Sequence, residues 1–347
     1  MSQKQRILFL TGSMNQTLQM EAIAKFLPEF ECVFSQLYAN NFFISTAIKL
    51  GVLDTTILGN PLRKISENYI QSKGYLMDYK AKFFTYDLVV FCSDIIIPKN
   101  LQGIKSIWVQ EGMIDPYTIL SKIIQKLKLP RYWSMGTSLN GTSNACDIYC
   151  TASSAYSDYL VKYGTNRKKT IITGIPNYDH LEKHLENDFP HKDYVMVATT
   201  DMRETFRYEN RIEFLKKCVE ISNGRQLLFK LHPNEKTKRA IAEIKQICPE
   251  DTLIFSSGNT NDMIANSVEL ITQYSTVVYT GIGLGKKVHS YFPLEDLYAQ
   301  MPIQNKGKSA ENIAKLCKAY LQHTGDLSTF LPQMSSIISY QVENSYA

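Results

Sequence analysis

Short, dense apolar runs alternate along this chain with stretches whose apolar positions recur every three or four residues. Runs of the first kind fall within residues 6–15, 86–92, 106–116, 147–153 and 169–176, then 194–200, 227–231, 252–255, 268–271 and 285–291. Continuous apolarity of this length predicts strands buried on both faces. Residues 21–27, 44–50, 62–79, 119–133, 155–163, 212–222, 236–247, 261–266 and 277–284, with the chain from Ala310 onward, have helical spacing. Strand and helix in alternation predict an α/β protein with parallel sheets. A polar tract, residues 177–191, divides the series into two domains, expected at 1–180 and 192–347, the second closed by the C-terminal helices. His180, His184 and His191 lie in that tract and are expected to be solvated.

Length agrees with two cores, since 347 residues exceed what one ordinary core supports. With 44% hydrophobic and 20% charged residues the composition is globular. The longest apolar run, near residues 88–98, is interrupted by Ser93 and Asp94 and is too short to span a bilayer. Residues 1–6 lead straight into a strand, so no secretory leader is expected and the protein reads as cytoplasmic. Seven scattered cysteines, with no second pair to accompany Cys146 and Cys150, predict reduced thiols and no metal. No cofactor is expected.

Charge adds an asymmetry. Residues 1–180 carry 19 Lys/Arg against 13 Asp/Glu, or +6, and the remainder carries 19 against 20, or −1. Neither half has the dense basic stripe of a nucleic-acid binder. An anionic membrane surface suits a modest, one-sided excess better. Within the basic half, residues 119–133 place Ile119, Leu120, Ile123, Ile124 and Leu127 at helical spacing among Lys122, Lys126, Lys128 and Arg131, with Tyr132 and Trp133 following. This is the pattern of a helix lying on a membrane surface, and equally of a helix packing its apolar face on the core.

The candidate chemistry sits where strands end. Leu227, Leu228 and Phe229 run into Lys230-Leu231-His232-Pro233, and Pro233 stops the strand. Lys230 and His232 are two residues apart, hence on one side of a strand, at the edge where open α/β sheets bind ligands. Two such groups suit a phosphate. Ile107, Trp108 and Val109 deliver Gln110 and Glu111 to another strand end, with Gly112 allowing the turn; a carboxylate there is placed for general-base work. Asp115, next to Pro116, reads as a turn or helix-start residue. Gly12 either admits substrate close to the backbone or makes a tight turn. Ser275 and Thr276 open a helix and offer hydroxyls with free N–H groups, an anion site or a plain cap. Arg203, Arg207 and Arg211 recur every four residues, either facing phosphate or forming a charged face. The polar loop 137–144 is long enough to be functional.

Lys230-Leu231-His232-Pro233-Asn234, the Ser275-Thr276 helix start and Gly285-Lys286-Lys287-Val288 together resemble the donor domain of CDP-glycerol glycerophosphotransferases and their capsule-polymer transferase relatives. Gln110-Glu111-Gly112-Met113 looks like the counterpart of the strand end that supplies their base, although the His-Gly pair is absent. Thr173-Gly174-Ile175-Pro176-Asn177 is similar to their entry into the second domain, and to that of UDP-N-acetylglucosamine 2-epimerases. The resemblance implies a GT-B glycosyltransferase fold, two doubly wound Rossmann-like domains facing a central cleft. It implies a metal-independent transferase moving a sugar from a nucleotide-sugar donor to a glycan or lipid-linked acceptor in surface polysaccharide synthesis. Glu111 would be the base; a single displacement from it would invert, and a retaining outcome stays open. Lys230, His232, Pro233, Ser275, Thr276 and Arg203 would hold the nucleotide phosphates, His232 also stabilising charge on the leaving group. Gly12, Gly112 and Asp115 would lie on the acceptor side. The inner face of the membrane is a candidate peripheral location.

Three other readings share these features: a 2-epimerase, a polyol-phosphate transferase and a non-catalytic nucleotide-sugar-binding scaffold. Residues 199–206 lack the histidine that epimerases carry there, and no Gly-Gly precedes Ser275.

Overall fold

A computed structural model describes residues 4–338, apart from 55, 135, 206 and 305. The chain forms two compact units: one runs up to Asp179 and resumes at Pro302, the other is His180–Met301. The first unit contains strands β1 (Arg6–Thr11), β2 (Glu31–Gln36), β3 (Leu76–Met77), β4 (Leu88–Phe91), β5 (Lys105–Val109), β6 (Ile148–Thr151) and β7 (Thr170–Ile172). They pair in the order β3-β2-β1-β4-β5-β6-β7, every pairing parallel. Helices α1 (Met14–Ala24), α2 (Phe42–Lys49), α3 (Asn60–Ser72), α4 (Ile119–Lys126) and α5 (Ser154–Lys162) join them. Both faces are covered, so Ile7, Phe9, Val90, Ile107 and Ile148 are fully buried, as parallel strands require.

The second unit has β8 (Tyr194–Ala198), β9 (Leu227–Lys230), β10 (Leu253–Phe255), β11 (Ser267–Thr272) and β12 (Lys287–His289), in the parallel order β10-β9-β8-β11-β12. Its helices are α6 (Arg211–Ser222), α7 (Thr237–Ile247), α8 (Thr260–Asn266), α9 (Val277–Gly283) and α10 (Leu294–Gln300). In each sheet the strand order reverses once, between β1 and β4 and between β8 and β11. Those switch points, at the strands' carboxyl ends, are where doubly wound sheets bind ligands.

The chain departs from expectation in three places. The C-terminal helices α11 (Ser309–Gln322) and α12 (Leu327–Ile337) do not close the second unit; they complete the first. Ile313, Leu316, Cys317 and Phe330 share one core with Ile7, Phe9, Ile148 and Ile171. Polar groups fix α11 at both ends: Ala310 N–H donates to Asp179 Oδ2 at 3.1 Å, and Lys105 Nζ donates to the carbonyls of Tyr320, Leu321 and His323 at 2.7, 3.1 and 2.7 Å. A cation on the terminal carbonyls and a carboxylate at the first N–H groups both complement the helix dipole.

The expected helix over 62–79 stops at Ser72 and gives way to β3, while β2 was not foreseen. The tract after Asp179 is docked rather than solvated at His184, whose Nδ1 lies 2.7 Å from Asp262 Oδ1 on α8.

Candidate functional site

Glu111 follows β5, and the backbone beneath it is held firmly. Gln110 N–H continues the pairing to the Cys150 carbonyl at 3.0 Å. The Gln110 amide then spans the turn, donating to the Gly112 carbonyl at 2.8 Å and accepting from Ala152 N–H at 2.9 Å. Glu111 is thereby turned toward the β1–α1 loop, beside the switch point of this sheet. Its Oε2 accepts from Gln16 Nε2 at 2.7 Å, and its Oε1 accepts from Asn15 Nδ2 at 3.0 Å and Ser13 Oγ at 3.4 Å. Asn15 and Gln16 were not singled out from the sequence. The one available signal was two amide side chains directly after the Gly12-Ser13 turn.

The three residues expected on the acceptor side serve the scaffold. A Cβ on Gly12 would stand 2.6 Å from Ile57 Cβ and 2.8 Å from Gln16 Oε1, so the space over this glycine is filled by protein, not open to substrate. Gly112 is buried and accepts the Gln110 bond. Asp115 staples two loops: its Oδ2 accepts from Thr137 N–H at 2.8 Å and Thr137 Oγ1 at 2.9 Å. The 137–144 loop is likewise structural. Asp94 accepts from Gly141 N–H at 2.6 Å and Ser143 N–H at 2.9 Å, and Gly141, at φ +78°, sits against the Trp108 ring.

In the second unit β9 ends at Lys230, a buried residue whose Nζ folds back onto the Leu231 carbonyl at 3.2 Å. Burial lowers its pKa. Residues 232–235 form a turn closed by Glu235 N–H on the His232 carbonyl at 3.0 Å, with exposed Pro233 at the position its fixed φ suits. His232 N–H donates to Thr199 Oγ1 at 3.0 Å, and Thr199 Oγ1 donates to Glu235 Oε2 at 2.6 Å. Burial pulls the His232 pKa down, Lys230 adding to this and Asp201, 3.7 Å away, opposing it. Asn234 N–H donates to His232 Nδ1 at 3.2 Å, which in the neutral ring leaves the proton on Nε2. His232 is thus a hydrogen-bond donor more than a charge.

Arg203 reaches this strand end only from beneath, its Nη2 lying 3.8 Å from Glu235 Oε1. Residues 201–205 and 207–210 are not helical, so the four-residue spacing of the arginines sets no common face. Its guanidinium forms two bonds of 2.8 Å to Glu243 and one contact of 2.9 Å to Glu209. Arg211 pairs with Glu235, and both side chains are almost fully enclosed. Ser275 and Thr276 do precede α9, but Ser275 Oγ is a weak cap, 3.5 Å from Val277 N. Thr199, Asp201 and Glu235 are the residues missed here; nothing local distinguished them from ordinary loop polarity.

The helix expected over 119–133 ends at Lys126, because Lys128 adopts φ 53° and Pro130 follows. Only Ser121 and Ile124 of α4 are buried. Ile119, Leu127 and Trp133 are 80%, 62% and 51% exposed, so the apolar face looks outward beside exposed Lys122, Lys126 and Lys128. Arg131 is drawn away to Thr142 Oγ1 at 2.7 Å. No helix among the described residues is long and apolar enough to cross a membrane, and no group of three or more His, Cys, Asp or Glu there is arranged to hold a metal ion.

Among solved structures, a putative UDP-N-acetylglucosamine 2-epimerase from Listeria monocytogenes superimposes with a TM-score of 0.56 at 13% identity, covering 93% of this chain and 98% of its own. The UDP-N-acetylglucosamine 2-epimerase from Rickettsia bellii gives 0.54 at 11%, covering 92% and 97%. The wall teichoic acid polymerase TagF, soaked with CDPG, gives 0.52 at 11%, covering 92% and 89%. At these identities the likeness is one of fold. No curated protein matches the chain. Residues 102–302, more than half of the sequence, match the family model described as CDP-glycerol:poly(glycerophosphate) glycerophosphotransferase, a span that includes Glu111, Lys230, His232, Ser275 and Thr276. The chain therefore has the GT-B fold and belongs to the CDP-glycerol:poly(glycerophosphate) glycerophosphotransferase family of transferases.

Proposed function

We propose that this chain transfers a polyol phosphate from a cytidine-diphosphate-linked donor to a hydroxyl of a growing cell-surface polymer. The observation that carries the reading is the family match, because it spans both chemically loaded strand ends. The family's description favours polyol phosphate over sugar as the transferred group, so nucleotide-sugar transfer becomes the second reading.

In this mechanism Glu111 takes the proton of the acceptor hydroxyl. The freed oxygen attacks the donor's distal phosphorus, forming a new P–O bond as the bond to the bridging oxygen breaks and CMP leaves. The Nε2–H of neutral His232, the Lys230 ammonium and the hydroxyls of Ser275 and Thr276 stabilise the charge growing on the leaving phosphate. Arg203 is withdrawn from the phosphate-binding set because two carboxylates occupy it. The acceptor, glycan or lipid-linked, is presented at an anionic surface on the inner face of the membrane. The outward apolar face and flanking lysines of α4 support that placement.

Incubation with CDP-glycerol and a glycerophosphate-terminated acceptor should release CMP only when both are present. In a thermal-shift series of CMP, CDP, UDP and GDP, a cytidine nucleotide at a hundred times its Kd should add about 2.7 kcal/mol. Stabilisation by UDP alone would favour the sugar reading, and acceptor-independent conversion of UDP-N-acetylglucosamine would replace both with an epimerase.

A further inference from the structure

Glu111 is held in an unusual manner for a half-buried carboxylate at a strand end. Each carboxylate oxygen receives a neutral amide donor, Gln16 Nε2 at 2.7 Å on one and Asn15 Nδ2 at 3.0 Å on the other. Among the described residues it has no cationic partner. A lysine or arginine at either place would neutralise the carboxylate, and a second carboxylic acid would share its proton. Amides do neither: they orient the group by donating hydrogen bonds and bring no charge of their own. The other titratable group beside it, the Cys92 thiol, is pushed well up by burial and further by the Glu111 charge, so it stays neutral.

Gln16 is itself buried, and its route to Glu111 passes over residue 12. Its Oε1 lies 2.8 Å from where a Cβ on Gly12 would stand, so a larger residue there would displace it. The backbone N–H of Gln16 is meanwhile fixed by Ser13 Oγ at 3.2 Å. We infer that Gln16 and Asn15 are positioning residues for the Glu111 carboxylate. The inference rests on Glu111 being the base, yet the clamp can be tested apart from that role.

The test uses the full chain labelled with carboxyl-¹³C glutamate, the Glu111 resonance being identified by its loss in Glu111→Gln. Gln16→Leu should shift the Glu111 carboxyl resonance at fixed pH, because the donor to Oε2 is gone. Gln16 is buried and its replacement can disturb folding, so Asn15→Ala, at an exposed position, provides an independent variant expected to move the same resonance. An unmoved resonance in folded variants would overturn the clamp.

The second arm follows CMP release from CDP-glycerol with the glycerophosphate-terminated acceptor. Gln16→Leu should lower kcat by roughly tenfold with the donor KM little changed, and should cost nothing more in the Glu111→Gln background, as groups acting as one unit are non-additive. Equal losses in both backgrounds would overturn the inference. If Glu111→Gln leaves the rate intact while Gln16→Leu and Asn15→Ala move the carboxyl resonance, the base assignment falls and the catalytic part of the inference with it. If the wild type releases no CMP, the donor reading fails and the resonance decides the clamp alone.

Discussion

The strand ends at Glu111 and at His232 are built on opposite electrostatic plans. At Glu111 the charged group is held by neutral amides from the first turn of α1, Gln16 being 95 residues away in sequence, so no opposite charge is spent on it. At His232 the imidazole is neutral, and formal charge is spent beneath it, where Arg211, Glu235, Arg203 and Glu243 form an ion-pair network. Thr199 relays that network to the histidine backbone. One edge conserves charge for chemistry, and the other commits charge to fixing a loop. The contrast can be broken at either end.

The largest effect is expected from Glu111→Gln, which removes the base and preserves shape. Turnover should fall roughly 10²–10⁴-fold, the usual range for a general base, with nucleotide affinity intact. Activity within a few-fold of wild type would move the base elsewhere. Arg211→Leu strikes the other plan by removing the buried partner of Glu235 and Glu209, which keep only the more exposed Arg203 at 3.8 and 2.9 Å. Breaking a buried pair costs about 3–5 kcal/mol, to be read in urea unfolding of the second unit. A loss near zero would mean that the network does not hold the loop.

His232→Ala should weaken nucleotide binding and turnover together by roughly ten- to a hundredfold, the worth of a hydrogen bond to a charged group. Because burial lowers the His232 pKa, nucleotide affinity should be flat from about pH 6.5, the ordinary histidine value, upward. For stability the sign is the reverse of a paired histidine. The unfolded chain takes up the proton first, so this residue's contribution is present above that pH and is lost as pH falls through it toward the folded value. A nucleotide affinity that declines between pH 6.5 and 8 would show that imidazolium, not imidazole, does the binding.

The smallest effect concerns α4. Three lysines near an anionic surface contribute about 1 kcal/mol each, enough for weak, salt-sensitive attachment. The protein should pellet with anionic liposomes at low salt, and changing Lys122, Lys126 and Lys128 to Gln should release it. Wild type remaining in the supernatant would make the outward apolar face a contact for another protein.

Much of the fold was legible because strands buried on both faces leave a dense apolar signature. Strand β2 left none. Its Ser35 and Gln36 are polar, yet Gln36 is buried, its amide meeting the carbonyls of Gly12 and Ile57 at 2.6 and 2.9 Å. Satisfaction by distant partners has no local pattern. The same holds for Glu111, legible as a loaded strand end while its amide clamp was not. Arg203 misled for the converse reason: spacing every four residues suggests a common face only if the backbone is helical, and here it is not.

The return of α11 and α12 to the first unit bears on how the chain folds during synthesis. Residues 180–301 form an insertion with its own sheet, able to fold as soon as it emerges. The earlier-made unit must wait. Until residues 309–338 arrive, the surface around Ile7, Phe9, Ile148 and Ile171 lacks its cover, and Lys105 lacks the carbonyls it binds. Shortening the chain at Met301 would leave the inserted unit whole and strip the apolar flank of the unit that carries Glu111.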